Sequence, residues 1–220
     1  MNQRAIVIGN SSGIGLALTR LLLGRGWRVS GLSRSPSDLR EQAYDHTVTD
    51  VREEAFSSEL ERVLSLEKVQ LMIYCAGIGE LFDTARLRSD VETFETNLAG
   101  LARSIERALP HLMQNPPATF VGLSSMADAL RSGAAPAYAA SKAGMTQYLE
   151  SLAVALRGSG VSVVNVRLGF VDAKMAKSAR KPWLLQPEVV ADRILRKVIS
   201  SNPPRRINIP RRLAILVGIA

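Results

Sequence analysis

A single cysteine in 220 residues, Cys75, excludes any intrachain disulfide. Its place at the end of the apolar run Leu71–Cys75 marks it as a buried thiol of a reducing compartment. Histidine is nearly as scarce: His46 and His111 lack ligand spacing to cysteine or carboxylates, so no metal site is expected. Long apolar runs are missing too. Ala5–Ile8 is too short for a signal-peptide core, and Leu213–Ala220, at about 1.5 Å per residue, falls far short of a hydrocarbon layer roughly 30 Å thick. No membrane span is therefore expected, and with no targeting segment in view a cytoplasmic location is. Internal repeats and low-complexity tracts are also lacking, and the apolar fraction is that of an ordinary globular chain. A chain this long is expected to form one domain, residues 1–220.

The net charge of +8 is unevenly spread. From Arg167 to Arg212 there are 12 basic and 3 acidic residues, whereas the remainder holds 16 and 17. Such an excess can attract an anionic substrate, a phosphorylated cofactor, nucleic acid or a lipid surface. These residues are scattered over a loop, a helix and a tail with few aromatics among them, which reads as a solvated face, and no nucleic-acid partner is expected.

Apolar runs and helical periodicities alternate along the chain. Strands are expected at Ala5–Ile8, Trp27–Leu32, Tyr44–Val48, Gln70–Cys75, Ala118–Leu123, Val161–Val166 and Arg206–Ile209. Helices are expected at Ile14–Arg25, Glu53–Leu66, Val91–Leu109, Ala137–Arg157 and from Pro187 to about Ile199, with Pro110 and Pro116–Pro117 bracketing the third and a further short helix after the turn Ser35–Asp38. Nearly continuous apolar strands between amphipathic helices imply an α/β fold with a doubly wound parallel sheet. Ligands bind such sheets beyond the carboxyl ends of the strands. The chemically suggestive residues fall there: Gly9–Gly15, Ser33–Arg34, Cys75–Gly77, Ser124–Ser125 and Gly169 each follow a strand.

Tyr138 and Lys142 are four residues apart on one helix and so share a face. An ordinary phenol titrates near pH 10, and an adjacent ammonium favours its ionised form. Ser125, thirteen residues before the tyrosine, can offer a hydroxyl to the same substrate oxygen. Together they read as a carbonyl/alcohol redox site. In the glycine-rich turn Gly9, Gly13 and Gly15 allow tight turns and let a diphosphate approach backbone amides at a helix N-terminus. Taken singly, Asn97 reads equally as a helix cap and Ser125 as a loop hydroxyl.

With these motifs the chain resembles the short-chain dehydrogenase/reductase family from Ile6 to about Ile209. Gly9-Asn10-Ser11-Ser12-Gly13-Ile14-Gly15 is similar to the family's cofactor turn, and Asp50-Val51 to its adenine-contacting position. Asn97, Ser125, Tyr138 and Lys142 resemble its catalytic tetrad in order and spacing. The resemblance implies a Rossmann-type fold and hydride exchange with a nicotinamide dinucleotide. Tyr138 would pass the proton and Ser125 polarise the substrate oxygen; Lys142 would lower the tyrosine pKa and hold the ribose, and Asn97 would anchor a water leading protons to Lys142. Cys75, Ala76, Gly77, Leu168, Gly169 and Val171 would complete the cofactor site. The second strand ends in Gly31-Leu32-Ser33-Arg34, without the carboxylate that NAD enzymes commonly place there, and Arg34 suits a 2′-phosphate, so NADP is favoured over NAD.

Three segments depart from the family pattern. Tyr74-Cys75-Ala76-Gly77 stands for Asn-Asn-Ala-Gly, Leu168-Gly169 for Pro-Gly, and Ala173 for a threonine. They keep open an alternative: a cofactor-binding regulator or scaffold with little turnover, using its basic C-terminal surface to bind a partner. The segment 174–186 is expected over the site, with Phe170, Met175, Trp183 and Leu185 inside and Lys174, Lys177, Arg180 and Lys181 outside. An apolar carbonyl or alcohol substrate with an acidic group suits that pattern; a loop simply packed on the domain is the alternative. By the same resemblance Val91–Leu109 and Ala137–Arg157 would pair subunits in a homo-oligomer, dimer or tetramer.

Overall fold

The structure, a computed structural model, describes residues 3–171 and 184–210 together with 212 and 215. Seven parallel strands form one sheet: β1 Arg4–Ile8, β2 Arg28–Ser33, β3 Tyr44–Val48, β4 Leu71–Tyr74, β5 Ala118–Ser125, β6 Val161–Leu168 and β7 Arg206–Ile209. Their order is β3-β2-β1-β4-β5-β6-β7, so the direction of winding reverses between β1 and β4. This is the doubly wound, Rossmann-type arrangement expected from the alternating pattern.

The strand period of two assigns residues to the two faces. Ala5 and Val7 join the core formed with Leu18 and Leu22 of α1 (Gly13–Gly24) and Val190 and Ile194 of α6 (Pro187–Val198). Ile6 and Ile8 face the other core, with Phe56 and Leu60 of α2 (Ala55–Leu64), Leu101 and Ile105 of α4 (Gly100–Gln114), and Met145 and Leu149 of α5 (Pro136–Ala155). All five residues of β1 are buried, because its sheet neighbours and both helical layers enclose it.

Three local expectations are corrected. The segment after Ser35–Asp38 is not helical; the Ser37 hydroxyl accepts from the Leu39 amide at 3.3 Å, a local bond that competes with helix formation. Pro110 lies inside α4 instead of ending it, since Leu112 continues the buried stripe of Ile105 and Ala108 and its packing offsets the missing amide. The long helix also starts earlier, at α3 (Arg88–Phe94), and passes through a π-helical turn, Glu95–Ala99, before α4. Elsewhere the ends shift by one or two residues, with β5 extended to Ser125 and β6 to Leu168.

Among the described residues no helix is long and apolar enough to cross a membrane. The basic excess is partly neutralised from elsewhere in the chain, since Arg167 pairs with Asp128 and Arg206 with Glu150. Asp172, Ala173, Lys174, Met175, Lys177, Arg180, Lys181 and Trp183 lie outside the described residues, as does most of the tail after Arg212.

Candidate active site

The carboxyl ends of β5 and β6 and the first turns of α5 converge on one cluster of hydroxyls and an ammonium. Ser125, the last residue of β5, donates its hydroxyl to the Leu168 carbonyl at 3.2 Å and accepts from the Ala127 amide at 3.1 Å. Burial pushes the Tyr138 phenol above its ordinary pKa, the nearby Ser125 hydroxyl works the other way, and the Asp128 charge adds to the rise. Lys142 is 4% exposed; its ammonium donates to the Leu123 carbonyl at 2.9 Å and lies 5.8 Å from the Tyr138 ring centroid. Burial lowers its pKa to about 8. The amine therefore exchanges its proton at mildly alkaline pH and, in this arrangement, is spent on a backbone carbonyl.

Asn97 stands in the π-helical turn and is fully buried. Its side-chain oxygen accepts from the Ile78 amide and its nitrogen donates to the Ile78 carbonyl, both at 2.9 Å. The same nitrogen donates to the Ser141 hydroxyl at 2.9 Å, which in turn donates to the Tyr138 carbonyl at 2.8 Å. One amide thus fastens the segment after β4 to the turn of α5 that carries Tyr138. Gly79 lies in that segment, where a Cβ would come 2.7 Å from the Tyr138 ring. Sequence reasoning missed Ile78, Gly79, Ser141 and Asp128; strand order brings the segment after β4 and the turn after β5 to the tyrosine, whereas Ser141 lies three residues on in the same helix.

The glycine-rich turn has the shape a diphosphate requires. Gly9 adopts φ 84°, and a Cβ there would fall 2.5 Å from the Ala76 amide nitrogen; a Cβ on Gly15 would collide with the Gly9 carbonyl. Ser12 precedes α1 without capping it through its side chain, and no acidic residue stands in the first turn, so the helix end is left for an anion. Ser11 and Ile14 belong to the same turn. Asn10 is fully buried and its Oδ1 has no hydrogen-bond partner among the described residues. The cradle fits a dinucleotide.

Asp50 lies just past the end of β3. Its Oδ1 accepts from the Arg52 amide at 3.0 Å and its Oδ2 from the Arg52 guanidinium at 2.7 Å. Burial favours the neutral acid there, but the bonds from Arg52 outweigh it and hold the carboxyl below its usual range, with help from the charge of Arg34. Arg34 is exposed just past β2, and Ser33 donates to the Ser35 carbonyl at 2.8 Å. Val51 is buried behind Asp50.

Cys75, Ala76 and Gly77 follow β4, with the Cys75 amide bonded to the Ile8 carbonyl at 2.8 Å. Burial pushes the Cys75 thiol well above its ordinary pKa against the pull of Lys142. Gly169 is tied to the Ile209 carbonyl at 2.8 Å, and Val171 bridges to Leu185. Among the described residues no group of three His, Cys, Asp or Glu is placed to hold a metal ion.

A family model described as short chain dehydrogenase matches residues 3–183. An uncharacterized oxidoreductase of Myxococcus xanthus is 30% identical, over 96% of this chain and 91% of that protein. The 2-(R)-hydroxypropyl-CoM dehydrogenase of Xanthobacter autotrophicus is 28% identical, over 90% of this chain and 84% of that protein. Among solved structures, an actinorhodin polyketide ketoreductase variant with NADPH superposes with a TM-score of 0.82 at 24% identity, covering 94% of this chain and 95% of that one. A short chain dehydrogenase from Burkholderia cenocepacia in complex with NADP gives 0.82 at 19% identity, covering 99% and 95%. At these identities the structural likeness is one of fold.

Proposed function

Because this chain belongs to the short-chain dehydrogenase family of oxidoreductases, we propose that it is an NADP-dependent carbonyl reductase in which Tyr138 is the acid and base. The observation that carries this is the convergence of Tyr138, Ser125 and Lys142: the Ser125 hydroxyl bears on the buried phenol, and the Lys142 ammonium lies 5.8 Å from its ring centroid. NADPH, when bound, supplies the hydride. Tyr138, held in its protonated form, gives its proton to the substrate oxygen as negative charge develops there. Ser125 turns its hydroxyl from the Leu168 carbonyl towards that oxygen and stabilises the same charge. Lys142, released from the Leu123 carbonyl, holds the ribose and favours the ionised tyrosine once its proton has left. Asn97 keeps the tyrosine turn in place through Ser141 and would anchor a water through which Lys142 is reprotonated.

NADP is preferred to NAD because the end of β2 offers Ser33 and Arg34 and no carboxylate, while Asp50 is engaged by Arg52. The NADP and NADPH complexes among the structural neighbours support this choice. Residues 1–220 act as one domain, with the cofactor in the cradle from Gly9 to Gly15 and a small carbonyl or alcohol substrate, apolar with an acidic group, beside Ser125. The protein works in the cytoplasm. Exposed Phe94, Tyr148 and Val154 on the α3 and α5 surfaces support self-association.

Titration of the purified chain with NADPH and with NADH tests the cofactor, and Tyr138→Phe tests the mechanism. NADPH should bind more tightly, Arg34→Ala should remove the difference, and Tyr138→Phe should bind cofactor while losing turnover. Binding of neither nucleotide would transfer the argument to a regulator or scaffold that partners through its basic C-terminal surface.

A further inference from the structure

A half-buried polar relay links the two turns assigned to the diphosphate and the adenosine end of the cofactor. Asn10, in the glycine-rich turn, donates Nδ2 to the Tyr44 hydroxyl at 2.6 Å. Tyr44 lies 2.8 Å from Nδ1 of His46, and Nε2 of His46 lies 3.1 Å from the Ser35 carbonyl and 3.4 Å from the Ser33 hydroxyl. The direction of every bond follows from the two ends. A carbonyl only accepts, so Nε2 carries the imidazole proton and Nδ1 is the acceptor. Tyr44 therefore donates to His46 while receiving from Asn10.

Space has been cleared for this chain of bonds. A Cβ on Gly31, the β2 neighbour of His46, would stand 2.7 Å from the Tyr44 hydroxyl and collide with the Asn10 amide. The ionisable neighbours agree with a neutral ring: burial holds His46 below its ordinary pKa, and Asp45, which works the other way, accepts from Ser30.

The two ends of the relay are the two cofactor turns. Asn10 belongs to the diphosphate cradle; Ser33 and Ser35 flank Arg34, which makes no hydrogen bond or ion pair among the described residues. β3 is an edge strand, so the turn from Ser33 to Ser37 has no further strand beside it. Its hold on the sheet comes through the Thr49 amide bonded to the Ser33 carbonyl, and through His46 and Tyr44.

The geometry points to His46 as a positioning residue that sets selectivity for the 2′-phosphate: by holding the Ser33–Ser35 turn against Tyr44 and Asn10, it presents Ser33 and Arg34 to that phosphate. The inference rests on the NADP reading above. His46 touches neither substrate nor reacting atoms. A phosphate in a turn fixed in advance is bound without an ordering cost, whereas NADH, which places no anion there, gains nothing from the fixed turn.

The test is calorimetric titration of the full chain with NADPH, NADH, 2′,5′-ADP and 5′-AMP, in the wild type and in His46→Phe, His46→Gln and Tyr44→Phe. His46→Phe should weaken NADPH and 2′,5′-ADP about ten-fold, the scale of one lost positioning interaction, and leave NADH and 5′-AMP within about two-fold. His46→Gln, whose amide can still donate to the Ser35 carbonyl, should recover most of the loss. Tyr44→Phe should repeat the selective loss should His46→Phe fail to fold. Equal weakening of all four ligands, or an unchanged NADPH-to-NADH ratio in both His46→Phe and Tyr44→Phe, overturns the inference. A wild type with no preference for NADPH overturns the NADP reading before any variant is made, and this inference with it.

Discussion

Asp128 and Arg167 form a bidentate ion pair below the floor of the candidate site, with Nε to Oδ2 at 2.6 Å and Nη2 to Oδ1 at 2.5 Å. Their side chains are 3% and 5% exposed. The pair joins the turn after Ser125 to the end of β6, and Thr146 of α5 adds a third bond to Oδ2 at 2.6 Å. The carboxylate also raises the Tyr138 pKa through space. Asp128→Asn should cost about 2 kcal/mol of stability through its weakened charge-assisted bonds, read by urea unfolding. In the same variant the tyrosine-dependent limb of the pH–rate profile for alcohol oxidation should move to lower pH. A limb that stays in place would show that Asp128 does not act on Tyr138.

Gly79→Ala should leave the fold and cofactor binding intact and reduce turnover. The new Cβ would stand 2.7 Å from the Tyr138 ring, so the phenol must shift relative to Ser125. A misplacement of that size lowers kcat by about ten- to a hundred-fold. Single-turnover measurements beside a cofactor titration separate the two effects; an unchanged kcat would mean that the ring has slack in this position.

Asn97→Ala should destabilise the chain by about 3 kcal/mol, because it strips partners from the Ile78 amide, the Ile78 carbonyl and Ser141 together. Amide hydrogen exchange provides the local reading. The Ile78 amide should lose protection far more than amides of β1, and equal loss at both sites would indicate general weakening instead of a released clamp.

Lys142 makes stability depend on pH in a window of its own. Burial lowers its pKa from 10.5 in the unfolded chain to about 8, with Cys75 opposing. Between those values the unfolded chain holds a proton that the folded chain lacks, so this contribution rises with pH; below about pH 8 the full penalty of burying the ammonium applies. The shift corresponds to about 3 kcal/mol. Tyr138 and Cys75, both raised by burial, act in the opposite sense at higher pH, so the informative quantity is a difference between variants. Lys142→Met should exceed the wild type in stability by a wider margin at about pH 7.5 than at about pH 9.5 in urea titrations. A constant margin would place the amine in water.

What could be read from the chain and what could not divide along physical lines. The strands announced themselves because a sheet covered on both faces demands apolar runs such as Ala5–Ile8 and Val161–Val166. Gly9–Gly15, Ser125, Tyr138 and Lys142 were legible because their chemistry depends on spacing within one turn or at one strand end. Pro110 misled because its local cost is visible in sequence, whereas the packing of Leu112 that offsets it is not. The π-helical turn at Asn97 leaves no periodicity to detect over five residues. Asp128 with Arg167, and Asn10 with Tyr44 and His46, are 39 and 34 or more residues apart and meet only once the strand order is known.

The winding reversal between β1 and β4 also separates the molecule in time. The residues assigned to the adenosine and the diphosphate, from Gly9 to Asp50, leave the ribosome before those assigned to catalysis and lie in or beside the half-sheet β3-β2-β1. Lys142 follows Asp50 by 92 residues, which at about 5–20 residues per second is an interval of roughly 5 to 20 s. β4 begins only 21 residues after Asp50, so the flank of β1 can be covered early in that interval, whereas Asn97, Ser125, Tyr138 and Lys142 are made later. Synthesis thus makes the part that binds before the part that reacts.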